Sequence, residues 1–197
     1  MKKLFLWLNA TMDKVKGLDF LAPLAIRLYL LPVLYEGAHS KVTGFQGAVT
    51  WFATPVAQGG LGMPFPTLMA GLATGTEVAG CICLALGFCT RLISIPLMVT
   101  MTVAGLSVHW THGWAAIAGK TMESTHRLQG LMSWLAQDFP GRFNYVTELG
   151  DPVILNNGME FTVTYTLMLM VLFFYGAGRY VSTDYWLARA FKQPVRG

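Results

Sequence analysis

Four stretches of this chain, residues 19–39, 66–88, 92–109 and 158–175, are long and apolar enough to be read as membrane-crossing helices. A hydrocarbon core of ~30 Å takes about 20 helical residues, and only a helix or a closed barrel satisfies all its backbone N–H and C=O groups there. The second and third stretches are separated only by Cys89, Thr90 and Arg91, so they form a tight antiparallel hairpin. The third is short at 18 residues, and Pro96 inside it is a point of bending. The expected fold is an all-α integral membrane protein, a four-transmembrane-helix bundle forming one domain over residues 1–197.

Composition agrees: 54% of the chain is hydrophobic, 12% is charged, and the mean hydropathy is +0.49. That is about half the charge of an ordinary soluble domain, which carries about 25%. Such a chain is neither disordered nor a nucleic-acid binder, despite a net charge of +4 and a pI of 9.1. The expected partner is the lipid bilayer. Lys2, Lys3, Lys14, Lys16, Arg91, Arg179, Arg189, Lys192 and Arg196 flank one end of the spans, nine in all, against Lys41, Lys120, Arg127 and Arg142 at the other. By the positive-inside rule both termini are cytoplasmic. The apolar run Leu4–Leu8 is shorter than the roughly 7–15 residues of a signal peptide's core.

Two outer loops remain. Residues 39–65 carry an aromatic patch, Phe45, Val49, Trp51 and Phe52, expected to lie on the membrane interface. Residues 111–157 place Leu128, Leu131, Met132, Leu135 and Phe139 at helical spacing, which predicts an amphipathic interfacial helix over 124–138 ended by Pro140-Gly141.

Ionisable groups inside spans cost roughly 2.5–3.5 kcal/mol each on insertion scales, so each demands a partner or a task. Arg27 and Glu77 both fall near mid-depth when counted from their span ends, which predicts a buried Arg27–Glu77 pair. Gly71, Gly75 and Ala79 form a small-residue ridge on another face of the second span, which therefore should be buried on two sides. At the outer end Glu36 and His39 share a helix face, His109 closes the third span and Glu160 opens the fourth. Carboxylate and neutral imidazole bind Zn, Cu or Fe and pass protons, so these four are a candidate metal or proton site. His112 and His126 lie in the loop and read as solvated. Met98, Met101, Met168 and Met170 read as core filling. Cys81 and Cys83 point about 200° apart on a helix, which defeats chelation by the pair.

The order Arg27-(x)9-Gly37-(x)3-Lys41, Glu77-(x)2-Gly80, Leu86-Gly87-(x)2-Thr90-Arg91, His109 and Gly176-Ala-Gly-Arg-Tyr-Val-Ser-Thr-Asp184 resembles the DoxX family of four-helix membrane proteins. Ala25-Ile-Arg-Leu-Tyr-Leu30, His109-Trp110, Tyr145-Val-Thr-Glu-Leu-Gly-Asp-Pro152, Leu155-Asn-Asn-Gly158 and Phe173-Phe-Tyr-Gly176 are similar to its HvfX branch. Gly37, Lys41, Gly80 and Arg91 are the family-motif residues so matched. The resemblance implies a multi-pass protein of the bacterial inner membrane, accessory to maturation or handling of a copper-binding modified peptide together with its maturation proteins. Copper, or the peptide, would then be met at the outer Glu36, His39, His109 and Glu160. The wider family implies an alternative, an oxidoreductase subunit that couples thiol or sulfur oxidation to quinone with His109 and Glu160 as proton acceptors. A structural scaffold centred on Arg27 and Glu77 is the third reading. Under it, exchanging the two charges should restore what single changes lose.

Overall fold

The computed structural model describes residues 16–191; the expectations placed on Leu4–Leu8 and on Lys2, Lys3, Lys14, Lys192 and Arg196 lie outside them. Described residues form α1 (Leu21–Thr43), α2 (Phe45–Ala53), α3 (Pro66–Leu86), α4 (Thr90–Ala104), α5 (Glu123–Asp138), α6 (Pro140–Thr147), α7 (Glu160–Tyr175) and α8 (Thr183–Ala190). No β-strand occurs among them, only an isolated bridge between Ile117 and Leu155. The α4 helix runs on through a π-helical turn, Gly105–His109, and a 3-10 turn, Trp110–His112. Three helical stretches, Leu21–Thr43, Pro66–Leu86 and Thr90–His112, are long and apolar enough to cross a membrane, whereas α7, at 16 residues, is apolar but shorter. The chain divides into two compact units, Met1–Thr102 with Tyr165–Gly197, and Val103–Thr164.

In the first unit, α1 buries Pro23, Arg27, Leu30, Leu34 and Ala38, a stripe stepping by three and four residues along one face. Pro66 at the first turn starts α3 without losing a hydrogen bond. Its buried stripe is Ala70, Thr74, Glu77, Gly80 and Leu84. Leu30, Leu34, Leu84, Leu97, Leu169 and Leu172 form one core drawn from α1, α3, α4 and α7, with Met98, Met101 and Met168 packed against it. These three methionines thus fill space, whereas Met170, also expected in the core, is 41% exposed on the outward face of α7. Outward-facing positions are themselves apolar, among them Leu28, Leu72, Ile82, Val99 and Phe174, as suits helices facing lipid chains.

Three expectations change here. The Gly71–Gly75–Ala79 ridge is not packed: a Cβ at Gly71 or Gly75 would meet nothing within 4 Å. Glu77 lies about 200° from Gly75 on the helix, and drawing that carboxylate inward turns the ridge outward. So α3 is buried along one stripe instead of two. The aromatic patch of 39–65 folds back as α2, where Val49 and Phe52 are buried against Ala70 of α3 with Phe45 and Met63 around them. Trp51 remains 40% exposed and donates its indole N–H to Gly59 O at 3.0 Å. Finally, α1 runs four residues beyond the expected end, to Thr43, which brings Lys41 into the helix.

In the second unit, α5 begins at Glu123 and ends at Asp138, one residue from the expected start and with the expected end. Pro140 does more than end it, because it occupies the first turn of α6. The expected fourth span loses residues 158 and 159 to a backbone seam. Met159 N–H donates to Gly113 O, Gly158 N–H to Ala115 O, and both Asn156 and Asn157 N–H to Ala116 O, each at 2.9–3.1 Å.

Candidate functional site

Both charges foreseen within the spans are buried, Arg27 at 2% and Glu77 at 5% exposure, but they do not pair with each other. Arg27 donates Nε to Leu84 O at 2.7 Å, Nη2 to Ala85 O at 3.0 Å, and Nη1 to Ala177 O at 3.0 Å and Val181 O at 2.8 Å. The correction has a simple cause. An α-helix leaves its last four carbonyls without intrahelical donors, and Arg27 lies level with that end of α3, about two turns beyond Glu77. The four orphans of α3 are all satisfied. Cys83 O accepts from Phe88 N at 2.9 Å, Leu84 O and Ala85 O from Arg27, and Leu86 O from Thr183 Oγ1 at 2.8 Å.

The turn beyond α3 is built around the same point. Gly87 holds φ +61°, and a Cβ there would lie 2.6 Å from Ser182 Cβ and 2.8 Å from Arg27 Cζ. Glycine is therefore required both for the left-handed backbone and for the close approach. Asp184 closes the turn: its Oδ1 accepts from Cys89 N at 2.7 Å, its Oδ2 from Thr90 N at 3.0 Å, and its own N–H donates to Gly87 O at 3.0 Å. That carboxylate is close enough to act on the charge of Arg27. Ser182 Oγ caps α8 by accepting from Tyr185 N at 3.3 Å. Asp184 and Ser182 both belong to a motif noticed in the sequence; Ser182 caps locally, but nothing local told the role of Asp184, whose partners lie about 95 residues earlier. Outside the spans, Arg179 donates to Asp19, and that hydrogen bond raises its pKa above the ordinary guanidinium value.

Glu77 takes a different cation. Lys41 Nζ donates to Oε1 at 2.9 Å and Oε2 at 2.8 Å, and also to Gly37 O at 3.5 Å. Gly37 is beside the carboxylate, 3.1 Å from its Oε2 when a Cβ is built there. Gly37 and Lys41, one turn apart on α1, and the distant Glu77 are thus one cluster of motif residues between α1 and α3. Gly80 contacts Leu97 of α4.

The four outer residues have their own surroundings. Glu36 and His39 are exposed, and the His39 ring stacks on Tyr35 at 5.7 Å. In the second unit His109 Nδ1 donates to Asn157 O at 2.8 Å, and Glu160 Oε2 accepts from Ala116 N at 3.0 Å, so both clamp the seam described above. Asn156 Nδ2 joins them, donating to His112 O at 2.8 Å and Ala115 O at 2.7 Å. Among the described residues no three His, Cys, Asp or Glu side chains come together as a set able to hold a metal ion. The seam's tightest point is Gly158, whose Cβ would fall 2.4–2.7 Å from the carbonyl oxygens of Gly113, Trp114 and Ala115. Gly158→Ala should therefore open the seam. Hydrogen exchange at the amides of Ala116 and Ala118 is the measurement, with at least a tenfold gain in rate expected; unchanged protection would contradict this account.

Residues 22–110 match the model of the DoxX family. No curated protein and no solved structure matches the chain.

Proposed function

From the DoxX family, which that match supports, we propose that this membrane protein is accessory to the maturation or handling of a copper-binding modified peptide. The chain is read as one DoxX-like domain of four crossings in a bacterial inner membrane, with both termini cytoplasmic and α5 lying along the outer interface. The preponderance of Lys and Arg at one end of the spans supports that orientation. Under this reading the protein's task is to hold that peptide, or the copper it carries, at the membrane.

The observation that carries this reading is the surface of the outer segment. Neither α5 nor α6 buries any residue. Leu131, Trp134, Tyr145 and Leu149 are 51–99% exposed. A pair of helices with that much uncovered apolar area marks a surface for lipid or for a partner. In a host that makes the modified peptide, removing this protein should lower the yield of mature peptide at least several-fold, read by mass spectrometry of the secreted fraction. A Leu131→Ala, Trp134→Ala, Tyr145→Ala triple variant, present in the membrane at wild-type level, should reproduce the loss. Unchanged peptide mass and yield after removal of the protein would overturn the proposal.

A further inference from the structure

Within the first unit, the turn between α3 and α4, the start of α1 and the segment from α7 to α8 enclose a cleft of about 900 Å³. Its walls are chiefly apolar, including Phe20, Pro23, Leu92, Val171 and Ala188. Two carboxylates and two guanidiniums also line it. Three of these four charges are engaged: Asp184 with the N–H groups of Cys89 and Thr90, and Asp19 with Arg179. Arg91 is the exception. It is exposed, lies along Gly176 with Nε 3.1 Å from a Cβ built there, and has no hydrogen-bond or ion-pair partner among the described residues.

The cleft is at the end of the helices where aromatic and basic groups gather. Phe20 meets Tyr180 edge-on at 5.4 Å, Tyr185 is 5.4 Å from Tyr180 and 5.2 Å from Trp186, and the guanidinium of Arg189 stands 6.0 Å from the Trp186 ring. Tyr, Trp and Arg in such a belt mark headgroup depth in a helix bundle that crosses a bilayer. An apolar cleft at that depth, with one uncommitted guanidinium at its polar rim, complements a molecule with one anionic head and an apolar tail. Guanidinium and phosphate oxygens match in charge and in bidentate geometry.

We propose that this cleft binds an anionic phospholipid, its phosphodiester on Arg91 and an acyl chain along Leu92 and Val171. A soluble phosphate compound would share the head contact and lack the tail contact, and the two sources are separable. The test uses detergent-purified full-length protein, native mass spectrometry, and three probes: dioleoylphosphatidylglycerol, the diacylglycerol with the same chains, and glycerol 3-phosphate. Phosphatidylglycerol should saturate at one copy, diacylglycerol should not be retained, and millimolar glycerol 3-phosphate should not displace the lipid. Arg91→Gln should reduce retention at least tenfold, Arg91→Lys less, because a point charge remains without the planar fork. Ala188→Phe, which fills the cleft and leaves every charge in place, should also abolish retention; thermal melts would verify that each variant is folded. Wild-type retention in folded Arg91→Gln, equal retention of diacylglycerol, or displacement by glycerol 3-phosphate would each overturn the proposal.

Discussion

Arg27→Leu should lower the melting temperature of the detergent-solubilised protein by about 10 °C, the largest loss expected from any single change in a span. The substitution removes the Arg27 donors from four backbone carbonyls, those of Leu84, Ala85, Ala177 and Val181, of which Leu84 O keeps a 3.4 Å bond from Gly87 N. A buried acceptor left without a partner costs about 1–3 kcal/mol. Against this stands the relief of no longer burying a charge, which makes replacing some buried ion pairs by apolar residues harmless. That relief depends on replacing both partners, and here the partners are main chain, which no substitution removes. The sum is on the order of 4 kcal/mol, and each kcal/mol corresponds to about 2–4 °C in a chain of 150–250 residues. Arg27→Lys should recover less than half of the loss, because one ammonium with three donors cannot reach four oxygens spread over two segments. A melting point within 2 °C of wild type for Arg27→Leu would refute the assignment.

The Lys41–Glu77 pair should respond asymmetrically. The Glu77 side chain is 7% exposed and that of Lys41 26%. Removing Glu77 leaves an ammonium on a flexible stem that can turn toward water, so Glu77→Gln should cost about 1 kcal/mol. Removing Lys41 strands a carboxylate that has no such exit, so Lys41→Met should cost about 3 kcal/mol, in the range found when buried pairs lose one member. The double replacement Lys41→Met with Glu77→Leu takes away both charges and should return to within about 1 kcal/mol of wild type. Exchanging charges between Arg27 and Glu77 should rescue nothing, since those two residues serve different partners. Unfolding titrations of the four variants decide the matter: equal losses from the two single changes, or recovery in the charge exchange, would refute this pairing.

The spans were legible because apolar length is a one-dimensional property, and the hairpin because only a few residues separate two of them. The same counting misplaced the partners of the buried charges. Depth along a helix says which residues share a level, but not which way each faces, and Arg27 turned out to face a helix end whose carbonyls carry no sequence signature. Lys41 was matched as a motif residue and counted as an outer loop charge, because nothing local showed that α1 would run past it toward Glu77. The seam in the second unit was illegible for another reason. It consists mostly of main-chain bonds, which carry no residue signature, and the side chains that mark it, His109, Asn156 and Glu160, bond to main-chain groups about 40 or more residues away. In the same way Asp184 gives no local sign that it caps a turn nearly half the chain away.

That turn also sets an order of events during synthesis. The helices α1, α3 and α4 leave the ribosome well before Ala177, Val181, Thr183 and Asp184, which supply two acceptors to Arg27, the donor to Leu86 and the cap on Cys89 and Thr90. Until those residues arrive, the early hairpin carries an unfinished guanidinium site and bare amides at its tip. Insertion and final locking are thus separated in time, and the latch is made after the helices that it closes.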